Sequence, residues 1–158
     1  MLSLLVFNFV PVLLVSFSIR KIRWNWLYLL VVWPGTVLHE ICHFVLALLT
    51  NGQPSSFDVF PQKAPGGGYL LGSVQCSNIR WYNGAFIGMA PLLIMVGIWQ
   101  WAPDQIRLDA HTLLYWAVSG LLFYSGIPSK TDFKVALKSI YPIAVIAALG
   151  AVIWFQYA

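Results

Sequence analysis

Charge is what this sequence lacks most. Only 9% of its 158 residues are charged, against about a quarter in an ordinary soluble domain. With 59% of the chain hydrophobic, so few charges cannot furnish a water-facing surface, and an integral membrane protein is expected. Length leaves no room to expect a second domain, so residues 1–158 read as one membrane-embedded unit. Cysteine is nearly absent as well. Cys42 and Cys76 cannot make a disulfide framework, and both are expected as free thiols. Internal repeats and low-complexity tracts are missing, which excludes solenoids and disordered scaffolds. The net charge of +4 does not point to nucleic acid, because the nine Lys and Arg lie between apolar runs, where they mark membrane flanks.

What the chain does contain is a series of apolar runs. The first, Leu2 to Ile19, is followed by Arg20, Lys21 and Arg23. A signal peptide carries its basic residues before the apolar core, so this order argues for a retained transmembrane helix, with a kink at Pro11. The second run, Trp26 to Leu49, is long enough to span, and Pro34-Gly35 predicts a kink or break within it. Asn51-Gly52-Gln53-Pro54 is strong turn chemistry and stops that helix. Ser55 to Arg80 is the one extended polar piece; it alternates weakly around Pro65-Gly66-Gly67-Gly68. It reads as a hairpin or strand-like loop, either a plain connection or an edge able to pair with an extended peptide. Further runs cover Asn83 to Trp101, His111 to Ile127 and Tyr141 to Phe155. The third of the five runs carries Gly88, Ala90 and Gly97, small residues that permit close helix packing. Aromatic residues such as Trp24, Trp26, Tyr28, Trp99 and Trp101 suggest interfacial belts. The predicted architecture is therefore all-α: a bundle of four to five transmembrane helices with a short strand-like loop between helices 2 and 3.

The sole Glu of the chain, Glu40, lies between two of its three histidines in His39-Glu40-Ile41-Cys42-His43. On a helix, residues four apart share a face, so His39 and His43 can hold one metal ion together. Glu40 beside them is placed to act as a general base on an activated water. Cys42 points off the histidine face and reads as a small packing residue. A catalytic zinc site usually takes three protein ligands and leaves a position open. The candidates for the third are Asp58, Asp104, Asp109, Asp132, His111 and, more weakly, Cys76. Asp132 is preferred because it follows a short, Pro-terminated apolar run; Ser129-x-x-Asp132 also reads as a capping box opening the last helix, and the two roles are compatible. Asn83 has two readings, a helix cap or a hydrogen-bond donor to a reacting carbonyl. Lys130, Lys134 and Lys138 form a basic stripe facing headgroups or water.

The His-Glu-x-x-His in an apolar helix, the glycine-bearing loop, the span with Ala90-Pro91 and the late Pro128-Ser129-x-x-Asp132 together resemble an intramembrane metalloprotease. The layout from about residue 26 to residue 140 is similar to the site-2 protease class and its small prokaryotic relatives. That resemblance implies zinc held by His39, His43 and Asp132, Glu40 as catalytic base, a membrane-protein or peptide substrate, and a prokaryotic cytoplasmic membrane as the location. The sequence departs from the usual Asn-Pro-x-x-Asp-Gly setting of the late aspartate, having Pro128-Ser129-Lys130-Thr131-Asp132-Phe133 instead. The alternative is a non-catalytic membrane protein that binds metal or a partner, such as a pseudo-protease, a transporter or a chaperone subunit. Zinc retained without cleavage in the Glu40→Gln variant separates a catalytic base from a structural glutamate.

Overall fold

The computed structural model describes residues 2–23, 25–63 and 69–157. Two sequence features named above, Trp24 and the turn at Pro65-Gly66-Gly67-Gly68, lie outside the described residues. The elements are α1 (Leu2–Ile19), α2 (Asn25–Leu49), β1 (Pro54–Asp58), β2 (Gln62–Lys63), β3 (Tyr69–Leu70), β4 (Ser73–Cys76), α3 (Gly84–Gly88), α4 (Leu92–Gln100), α5 (Ala110–Gly126) and α6 (Lys130–Tyr157).

This corrects the expected all-α bundle of four to five spans. The chain is mostly helical, but it also contains two small antiparallel sheets. Among the described residues a single helix, α2, is long and apolar enough to cross a membrane. The described helices do not support a multi-pass topology. The reason is that hydropathy counts apolar residues, whereas spanning needs about 20 of them in one unbroken helix. Helix α1 has 18 residues and carries Pro11, Asn8, Ser16 and Ser18 within it. The run from Asn83 to Trp101 is cut at Met89 and Pro91 into α3, of 5 residues, and α4, of 9. Pro91 has no N–H to continue the first helix and instead opens the second. Helix α5, of 17 residues, buries Thr112, Ser119 and Ser125 along an otherwise apolar length. Helix α6 begins with Lys130, Asp132, Lys134 and Lys138, and the three lysines are exposed.

Helix α2 also differs from expectation in running unbroken from Asn25 to Leu49 with Pro34 inside it. A proline here removes one helical hydrogen bond without ending the helix. Its end follows the turn chemistry at Asn51-Gly52. Asn51 adopts φ 58°, a left-handed conformation that asparagine tolerates. The Gly52 N–H then donates to Ala47 O at 2.6 Å and the Asn51 N–H to Leu48 O at 3.4 Å, the two reverse bonds of a Schellman stop.

The chain leaves α2 into two nested antiparallel pairs, β1 with β4 and β2 with β3. A register shift lies between Pro54 and Ser56, where proline cannot donate to the ladder. The outer pair is tied along α2. Trp33 Nε1 donates to Val59 O at 2.8 Å, Trp33 stacks on Phe60, and Phe44 packs against Phe57 with ring centroids 5.3 Å apart.

The helices pack through small residues. Gly35 of α2 lies directly against the Ser125 side chain of α5, and Gly120 of α5 against Val15 of α1. Gly84 and Gly88 of α3 lie against the α6 backbone at Val135 and Asp132. A Cβ at Gly88 would overlap the Asp132 carbonyl, so only glycine lets the two helices approach this closely. Val12, Ile94, Ile98 and Tyr115 form the buried apolar cluster, with Cys42, Trp101 and Trp116 around it. The metal-motif face of α2 looks the other way, toward α3, α5, the start of α6 and the sheet.

Candidate metal centre

Helical spacing on α2 puts His39 and His43 one turn apart, with ring centroids separated by 4.8 Å and Nε2 atoms by 3.1 Å. The third member comes from α6, some ninety residues further along the chain. Asp132 Oδ1 lies 3.2 Å from His43 Nε2, and Oδ2 lies 3.4 Å from His39 Nε2. All three donor atoms fall within 4.8 Å of one another, a group that can hold a metal ion.

The donor set fits a small divalent cation on two grounds. Bonds of about 2.0–2.1 Å at tetrahedral angles place zinc ligand atoms about 3.3 Å apart; the two histidine Nε2 atoms are 3.1 Å apart, each has a different Asp132 oxygen at 3.2 or 3.4 Å, and with one atom per residue the set lies within 4.8 Å. The second ground is hydrogen-bond polarity. His39 Nδ1 faces Ser125 O at 2.6 Å and His43 Nδ1 faces Ile87 O at 2.7 Å. A carbonyl only accepts, so each Nδ1 carries the proton and each Nε2 turns a lone pair inward. Two lone pairs and a carboxylate then converge. A proton on one Nε2 can bridge to the carboxylate, and a divalent cation can replace that proton while satisfying all three.

Asp132 has a second attachment. Its Oδ2 accepts from the Ser129 N–H at 2.6 Å, and Ser129 Oγ accepts from the Asp132 N–H at 3.2 Å, the reciprocal pattern of a capping box. Helix capping and metal-site placement therefore coexist on one carboxylate. Burial works to raise the pKa of Asp132, but its side-chain interactions with His39 and His43 and the Ser129 hydrogen bond outweigh it and hold the group well below the usual carboxylate range. Helix α3 sets the geometry from the other side. It supplies the Ile87 carbonyl that orients His43, and Gly88 admits the Asp132 backbone.

Glu40 is buried on the same helix and lines a cavity of about 620 Å³ together with His39, His43 and Asp132. The turn between β3 and β4 covers it. A Cβ on Gly72 would stand 2.7 Å from Glu40 Cγ and 3.1 Å from Oε1, so the sheet meets the carboxylate at a residue without a side chain. Leu70, Leu71 and Val74 extend this wall, and Thr36, Ser125, Ile127 and Val135 close the helical side.

The other candidate ligands fall elsewhere. Asp58 is exposed on β1. His111 shares a separate, smaller cavity of about 160 Å³ with Asp104, Arg107 and Asp109. Asp109 caps α5 there, accepting from the Thr112 N–H at 2.9 Å, and this bond holds its pKa below the ordinary value. Cys76 lines the main cavity outside the metal-binding group, and Cys42 packs beside the apolar core. Asn83 is wholly buried, and its side chain accepts from the Arg80 N–H and donates to Thr50 O and Asn78 O. All of these bonds are internal to the loop and the α2 end, so Asn83 neither caps α3 with its side chain nor reaches the cavity.

Sequence reasoning missed the Ser125 and Ile87 carbonyls, since any residue type offers a carbonyl and no pattern marks them. Gly72 was equally silent, as one glycine in a glycine-rich loop. Tyr28, expected in an interfacial belt, also lines the cavity and hydrogen-bonds Tyr124 at 2.9 Å between hydroxyls.

The fold and site thus define a mostly helical protein with a His–His–Asp group able to hold a metal ion beside a buried glutamate. No family model, curated protein or solved structure matches this chain.

Proposed function

We propose that this chain is a zinc-dependent endopeptidase working in or beside a membrane. The observation that carries the reading is the convergence of His39, His43 and Asp132 on one point inside a cavity that also holds Glu40. Two imidazoles and one carboxylate with an open fourth position form a donor set characteristic of hydrolytic zinc. Zinc, when bound, lowers the pKa of water toward about 7 and polarises a carbonyl.

The rest of the chemistry belongs to the chain. The Ser125 and Ile87 carbonyls hold the two imidazoles in one tautomer and one orientation. Ser129 and the start of α6 hold Asp132. Glu40 takes a proton from the attacking water and delivers it to the leaving nitrogen. Leu70, Leu71 and Val74 form an apolar wall along which a peptide segment lies, shielded from bulk water.

Membrane association rests on α2 and on apolar side chains turned outward. Leu30, Leu48 and Leu49 of α2 and Leu14 and Phe17 of α1 are more than half exposed. That much apolar surface suits contact with lipid, and it favours a membrane-protein or membrane-proximal peptide as substrate.

The test is Glu40→Gln in the purified, zinc-loaded protein. Cleavage should fall by about 10²–10⁴-fold, the usual worth of a positioned acid–base group, while one zinc per chain is retained. Unchanged cleavage removes Glu40 from the mechanism. Zinc binding with no cleavage of any peptide by the unaltered chain instead favours the non-catalytic metal-binding reading.

A further inference from the structure

At one position the cavity wall carries a charge of the opposite sign to Glu40 and Asp132. Arg20, just beyond the end of α1, lines the same cavity as the metal-binding group, and no other described Lys or Arg lines it. Its guanidinium lies over the Tyr124 ring, 5.9 Å from the centroid. Tyr124 in turn shares a hydrogen bond with Tyr28, hydroxyl to hydroxyl at 2.9 Å, with the rings nearly perpendicular. Both tyrosines also line the cavity. Among the described residues no carboxylate pairs with Arg20.

The chemistry of this corner is that of an anion receptor. A guanidinium presents a planar fork of donors that matches a carboxylate, and stacking on an aromatic face limits its motion. In the tyrosine pair one O–H is spent on the partner oxygen, which leaves the accepting tyrosine's own O–H as a further donor. The neighbouring Lys21 lies over Phe17, 5.2 Å from its ring, and does not line the cavity. A compact cavity of about 620 Å³ is roughly 10 Å across, the reach of about three extended residues.

We propose that Arg20, with the Tyr28–Tyr124 pair, is an anion subsite that receives a substrate carboxylate within about three residues of the scissile bond. The inference rests on the proteolytic reading of the same cavity. A bound divalent cation would offset the charges of Glu40 and Asp132, which leaves Arg20 as the fixed charge of the wall that selects for an acidic peptide. The carboxylate comes from an Asp or Glu side chain or from the peptide terminus.

The test uses the full chain loaded with zinc and a panel of peptides of one sequence. Asp or Asn is placed at each position within three of the cleaved bond, with both ends blocked, and a parallel set leaves the C-terminus free. Two quantities are read: kcat/KM on the unaltered protein and peptide Kd on Glu40→Gln. Asp peptides should be favoured over Asn peptides by about tenfold, the scale of one charge-assisted hydrogen bond. Arg20→Gln should bring that ratio to near one while zinc stoichiometry holds. Arg20→Lys should keep part of the ratio, and Arg20→Glu should bring it below one. A preference seen only with free C-termini assigns the terminal carboxylate; one seen with blocked peptides assigns the side chain. Cleavage without charge preference overturns the subsite and leaves the protease. Selective binding without cleavage does the reverse. A preference that survives Arg20→Gln overturns the subsite. Failure of every peptide to bind overturns it as well.

Discussion

Replacing Asp132 with alanine separates the two jobs of that carboxylate and tests the metal centre most directly. Its oxygens lie 3.2 and 3.4 Å from the two histidine nitrogens, and one also accepts from the Ser129 N–H at 2.6 Å. Loss of the cap costs about 1 kcal/mol of stability, as for other N-terminal caps. Loss of a ligand costs more. Zinc held by three protein ligands with a total of about 10–16 kcal/mol gives each ligand roughly 3–5 kcal/mol, or about 10²–10⁴ in affinity. Ser129→Ala is the control, because it removes the hydroxyl that accepts from the Asp132 N–H and leaves the carboxylate in place. Competition between each purified variant and a zinc-sensitive chelator dye measures the affinities, and thermal unfolding of the metal-free proteins measures the caps. Asp132→Ala should lose both zinc affinity and stability, and Ser129→Ala stability alone. An Asp132→Ala protein that binds zinc within about threefold of the unaltered chain would refute the third-ligand assignment. Asp132 would then be a capping residue that happens to lie beside two histidines.

Two further outcomes follow from packing and from membrane contact. Gly88→Ala places a Cβ against the Asp132 carbonyl and Ala136, and such overpacking costs about 1–3 kcal/mol. Because Ile87 next to it orients His43, zinc affinity should also fall by about 10–100-fold; a chelator titration matching the unaltered protein would show that α3 does not position the centre. Leu38→Arg, on an outward-facing position near the middle of α2, should weaken membrane insertion by about 3 kcal/mol, read as release of the chain from membranes on alkaline extraction. Retention equal to that of the unaltered protein would remove α2 from the lipid contact.

What was legible in the sequence was local. The i, i+4 pairing of His39 and His43 needs only a helix, and an apolar run with no other Glu or His marks the position. The stop at Asn51-Gly52 and the Ser129–Asp132 box are likewise matters of a few adjacent residues, where side chains bond to their own backbone. The span count was not local, and there composition misled. Apolar content says that a segment avoids water, yet it does not say whether the segment is one helix or two short ones meeting at Pro91.

Tertiary structure decided the rest. It brought Asp132 to the two histidines, because Gly84 and Gly88 let α3 press against the start of α6. It chose the Ser125 and Ile87 carbonyls to orient the imidazoles, groups that every residue carries and no pattern reveals. It placed Arg20, Tyr28 and Tyr124 on the wall of the cavity that holds Glu40. Helical spacing can set the distance between His39 and His43, since the backbone between them is rigid and short. The distance from either histidine to Asp132 depends on how helices pack, and packing is settled by contacts among residues far apart in the chain.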